Sequence, residues 1–156
     1  MKRRVVLTSM GVISPLGKSP EEIRSSLLDG RVIFERPDFE PEVVVSPVRD
    51  FELRRYTGAF KERRYLNRGA AFALAAALDA VRGTGLTRET LAEAGLFVGA
   101  GPHLDIGTEF PHITGGEMDR SKVDALWILR FLPNTAASGI AKSCGIRGEN
   151  LTVGNR

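Results

Sequence analysis

One cysteine, two histidines and a scatter of carboxylates are the groups in this sequence that could do covalent or metal chemistry. Cys144 directly precedes Gly145, at the expected C-terminus of a helix, where the backbone dipole opposes ionisation. A nucleophilic thiolate is favoured at a helix N-terminus, or beside a cation and a base. Cys144 therefore reads as a packing residue. His103, Asp105, Glu109 and His112 form the one cluster with metal-ligand chemistry, but they lie in a loop containing Pro102 and Pro111. No helical face presents a pair of them at fixed spacing and no cysteine joins them, so they read as loop polar groups rather than a metal site. Gly99-Ala100-Gly101 after a strand invites a dinucleotide fingerprint, which needs a third glycine opening a helix. Leu104 stands at that position, Pro102 removes a backbone donor, and no phosphate-binding loop follows, so no cofactor is expected.

Lys61, Arg63, Arg64 and Arg68 carry a different chemistry, with Arg54 and Arg55 just upstream. Such a cluster is either a solvated face or a landing patch for an acidic macromolecule. Over the whole chain 22 Lys and Arg face 19 Asp and Glu, a net charge of +3 that is too mild to imply nucleic acid.

The elements that must position these groups fit in one domain, since the chain has 156 residues. With 42% hydrophobic and 26% charged residues it is neither disordered nor fibrous. A single cysteine allows no internal disulfide, which suits a reducing cytoplasm. Met1-Lys2-Arg3-Arg4 is basic, but Thr8, Ser9 and Gly11 interrupt the apolar stretch behind it, unlike a signal peptide. The most apolar run, Gly69 to Leu78, is about half a membrane span, so a soluble protein without membrane contact is expected.

Val5-Val6-Leu7-Thr8 reads as a buried strand. Ser19-Pro20-Glu21-Glu22 opens a helix through a capping box, with Ile23, Leu27 and Leu28 on its apolar side. Residues 31–57 are broken by Pro37, Pro41 and Pro47, with a short strand expected over Glu42–Val45. A helix over Leu66–Arg82 is apolar all round at its centre and is expected to be buried between layers. Thr87–Ala94 is a short helix, Leu96–Val98 a second strand, Val123–Phe131 and Thr135–Ser143 two helices, and Leu151–Val153 a third strand. Strands alternating with helices indicate an α/β layered fold with a mostly parallel sheet.

Several of these segments resemble, in order, the β-ketoacyl-acyl carrier protein synthases, condensing enzymes of the thiolase superfamily. They are the opening Arg4 to Gly17 (with Ser9 where glycine is usual), the Ala-rich helix after a basic run, Leu96 to Gly101, Leu132-Pro133-Asn134 and Gly145-Ile146-Arg147-Gly148. The resemblance covers nearly the whole chain. It implies a thiolase-like, five-layer αβαβα fold of two related halves, with residues 1–156 forming the first part of the N-terminal half and a mixed, mainly parallel sheet.

The activity implied is an acyl transfer: decarboxylative condensation of an acyl thioester with a malonyl-acyl carrier protein thioester in fatty-acid synthesis. The alternatives are a polyketide-type ketosynthase, or a non-catalytic partner of the chain-length-factor kind. A carrier-binding module without chemistry is a further alternative. The resemblance places the nucleophilic cysteine immediately after Arg156 and the two catalytic histidines in the other half, so this chain carries no catalytic residue and is expected to be inactive alone. Asn155-Arg156 departs from the small Thr-Ala pair usual there. The resemblance further implies docking of an acidic acyl carrier protein at Lys61, Arg63, Arg64 and Arg68. It makes Thr108 and Trp127 candidates for the acyl tunnel, and implies a homodimer paired through the strand Glu149–Gly154.

Overall fold

Ser19 opens the first helix as its side chain dictates: its Oγ accepts the Glu22 backbone N–H at 3.1 Å, Pro20 takes the first helical position, and α1 runs Pro20–Leu28. The reciprocal bond of the capping box lands one residue further back than expected, with Lys18 N–H donating to Glu22 Oε2 at 2.8 Å. This computed structural model describes residues 4–38, 41–101, 113–114, 117–122 and 125–154. Its helices continue with α2 (Arg54–Thr57), α3 (Arg68–Arg82), α4 (Arg88–Ala92) and α5 (Thr135–Cys144); its strands are β1 (Leu96–Ala100), β2 (Ile113–Thr114), β3 (Glu117–Met118) and β4 (Asn150–Gly154).

β1 and β4 pair in parallel, Leu96 opposite Asn150 through Ala100 opposite Gly154. The side-chain period of two sends Leu96 and Val98 to the helical layer, where they meet a core of Leu74, Leu91, Ile140 and Cys144. It sends Phe97, Leu151 and Val153 to the opposite face, where they are exposed. α5 packs on both strands and α3 packs on α5, with Leu74 of α3 reaching the core that Leu96 and Val98 meet. Gly145, at φ +77° and so in the left-handed region, ends α5, and both its N–H and that of Ile146 return to the Ala141 carbonyl.

α3 is not buried all round. Ala70, Leu74 and Ala75 are buried, while most of the other residues in its apolar centre are half-exposed, because its layers cover only part of its circumference. One side packs on α5; another receives residues 9–11. Ser9 Oγ donates to the Ala80 carbonyl at 2.7 Å, and a Cβ at Gly11 would overlap the Ala76 carbonyl.

Three expected elements differ. Val5–Thr8 forms no strand, and Val5 and Leu7 are 95% and 100% exposed. A strand needs a neighbour to satisfy its backbone, and among the described residues none lies beside this segment. Glu42–Val45 contributes one antiparallel bridge, Glu35 to Val45, because the flanking prolines cannot extend a ladder. Of the helix expected over Val123–Phe131, the described residues instead form a 3₁₀ turn over Trp127–Arg130, preceded by Leu126 at φ +63°, a conformation that no helix continues.

Candidate functional site

A second 3₁₀ turn, Lys61–Tyr65, connects α2 to α3. Residues three apart eclipse on such a turn, so Lys61 and Arg64 project on one side. They and Arg63 line an open groove of about 470 Å³ together with Arg54, Gly58, Ala59 and Phe60. Arg64 sits 5.3 Å from the centroid of the Tyr65 ring. Glu62 pairs instead with Lys142 of α5, and that hydrogen bond holds its carboxyl below the usual carboxylate range. Arg68 is elsewhere: its guanidinium lies 5.1 Å from the Phe72 ring centroid and donates to the Val48 carbonyl. Phe72 in turn meets Phe51 edge-on at 4.7 Å. The structure thus brings together three of the four expected cations, sets Arg68 on an aromatic cluster, and adds Arg54.

A second concavity, of about 450 Å³, opens where β1 and β4 end. Its walls come from Asn67 and Ala73 of the α3 region, Val98 to Gly101, Phe131 to Pro133, Ala136 and Gly154. A crevice outside the carboxyl ends of parallel strands is where open α/β sheets take ligands. The lining is mostly apolar, with Asn67 as its polar side chain, so it suits a hydrocarbon chain better than a charged group. Trp127 does not line it; its ring contacts Phe131 at 5.6 Å, one side chain behind the wall. Thr108, His103, Asp105, Glu109 and His112 lie outside the described residues. The sequence reading missed this cavity. Its signal was the same Gly99-Ala100-Gly101 weighed as a nucleotide loop, since small residues at strand ends also leave room.

Cys144 is the last residue of α5, 5% exposed, and burial pushes its thiol above the ordinary value although Arg88 pulls the other way. It lines neither the groove nor the cavity.

The family model for the N-terminal domain of β-ketoacyl synthases matches residues 2–154. The chain belongs to the β-ketoacyl synthase family. Among its relatives, the "3-oxoacyl-[acyl-carrier-protein] synthase 2" of Vibrio harveyi is 29% identical over 97% of this chain and 38% of that protein. The "Actinorhodin polyketide putative beta-ketoacyl synthase 1" of Streptomyces coelicolor is 28% identical over 98% of this chain and 35% of that protein. Among solved structures, the ishigamide ketosynthase/chain length factor superposes with a TM-score of 0.77 at 28% identity, covering 99% of this chain and 40% of its own. The fold is therefore thiolase-like α/β, and the β-ketoacyl synthase chain spans well under half the length of these relatives. Among the described residues, no helix is long and apolar enough to cross a membrane.

Proposed function

We propose that this chain is the N-terminal part of a cytoplasmic β-ketoacyl-acyl carrier protein synthase of fatty-acid synthesis. The observation that carries the reading is the apolar cavity at the carboxyl ends of β1 and β4, which Gly154 borders. The family resemblance puts the acyl-accepting cysteine three residues beyond Gly154, so an acyl chain on that sulfur has an apolar chamber beside it. A thiolate there accepts the acyl group from its carrier; two histidines from the other half then assist loss of carbon dioxide from the malonyl thioester, with backbone N–H groups holding the oxyanion. Lys61, Arg63 and Arg64 receive the acidic carrier protein, with Arg68 holding the adjoining segment through Phe72.

Mass spectrometry of the complete protein after incubation with an acyl-carrier thioester tests this. One acyl group is expected on a cysteine at position 157, and its absence there overturns the catalytic reading. A second reading, a chain-length-factor-type partner, draws support from the unusual Asn155-Arg156 pair and the polyketide relatives. It requires a residue other than cysteine at 157 and no acylation.

The assembly is a symmetric dimer joined through β4. That strand pairs with β1 on one edge, and Leu151 and Val153 are 51% and 60% exposed. A clean monomer by light scattering, well above micromolar concentration, contradicts it.

A further inference from the structure

The turn Lys61–Tyr65 sorts its charges by side. Its cations Lys61, Arg63 and Arg64 are exposed and share one groove with Arg54 of α2. Its one acid, Glu62, faces the other way, into a separate cavity of about 310 Å³ lined also by Leu66, Leu129 and Lys142. Phe60 borders both spaces. No carboxylate lines the cationic groove among the described residues. Neighbouring arginines are engaged: Arg49 with Glu35, Arg55 with Glu52, Arg68 with the Val48 carbonyl. Arg54 has no ion-pair partner among the described residues and remains exposed at the groove wall.

Four like charges around one concavity repel each other, and an anionic surface placed there relieves that repulsion. A carboxylate from the chain itself would do the reverse, neutralising the groove and repelling an acidic partner. The pairing of Glu62 with Lys142 of α5 removes that competitor.

We propose that this groove, with Arg54 as its fourth cation, seats the acidic face of the carrier protein, and that Lys142 is a positioning residue that keeps Glu62 out of it. The inference rests on the reading of the chain as part of a carrier-dependent synthase. It brings Arg54 of α2, upstream of the cluster in sequence, and Lys142 of α5 into a surface that the resemblance assigned to Lys61, Arg63, Arg64 and Arg68.

The test is fluorescence anisotropy with a labelled holo-acyl carrier protein against the complete protein, across a salt series. Arg54→Glu is expected to weaken binding roughly three- to tenfold at low salt, with a shallower salt dependence. Arg54→Gln should show the same direction to a smaller extent, in case the reversal perturbs α2. If Arg63→Glu/Arg64→Glu weakens binding and both Arg54 variants do not, the groove assignment is overturned while carrier docking stands. If the double reversal also leaves binding unchanged, the carrier-docking reading itself fails. Lys142→Met is expected to weaken binding about two- to fivefold, and adding Glu62→Gln should restore it. Loss without restoration would make Lys142 merely structural and remove it from the proposal.

Discussion

The side-chain amide of Asn67 joins two segments 63 positions apart: its Nδ2 donates to the Arg130 carbonyl at 2.6 Å, while its Oδ1 accepts the Ala70 N–H at 2.7 Å and caps α3. Arg130 reaches back, its Nε donating to the Arg64 carbonyl at 2.9 Å. The cationic turn, the start of α3 and the cavity wall beside Phe131 are thereby held as one unit. Removing both bonds with Asn67→Ala should cost about 1–2 kcal/mol in denaturant unfolding of the complete protein. Asn67→Asp keeps a capping oxygen and loses only the donor, so it should cost less. Equal losses for the two variants would show that the cap carries nothing.

Gly11 offers a test of close packing. A Cβ there falls on the Ala76 carbonyl and close to the Ala80 N–H, both in the backbone of α3, which cannot swing aside. Gly11→Ala should destabilise by about 1–3 kcal/mol through overpacking. A neutral result in thermal unfolding would mean that residues 9–11 do not lie against α3 as described.

Ala136 lies on the cavity wall and is half-buried in α5. Ala136→Phe should fill the chamber, and the longest acyl primers should lose about tenfold or more in turnover relative to the shortest. Primer-length profiles of the variant and parent check this. An unchanged profile would separate the cavity from the acyl chain.

Cys144 should stay unmodified by iodoacetamide in the native protein at pH 8 and react once the chain is unfolded. Because burial raises its thiol above the ordinary value, the preference for the neutral form is fully present below the unfolded value. It is lost as pH rises through the folded one, so its effect on stability appears only above about pH 8.5. In the complete synthase Cys144→Ala should leave condensation unchanged. The 156-residue chain alone should release no carbon dioxide from malonyl-carrier thioester. Release by the parent chain that Cys144→Ala abolishes would give that thiol a role its burial argues against.

What the sequence determined by itself was local or periodic. Ser19 and Pro20 announced α1, α3 begins two residues after the expected Leu66 and ends at the expected Arg82, and Gly145 marked the end of α5. These are caps and left-handed turns, whose physics acts over four or five residues. The order of Arg4 to Gly17, Leu96 to Gly101, Leu132 to Asn134 and Gly145 to Gly148 also carried the family, because ordered short motifs need no coordinates. Pairing and direction were decided only in three dimensions. Val5–Thr8 has the β-branched composition of a strand, yet composition cannot supply the neighbour that its backbone needs. Lys61, Arg63, Arg64 and Arg68 are adjacent in sequence, but the passage from a 3₁₀ turn into α3 rotates Arg68 onto Phe72 and leaves Arg54 facing the other three. Glu62 leaves the patch because Lys142 lies 80 positions away in the chain and beside it in space, a separation that no local pattern encodes.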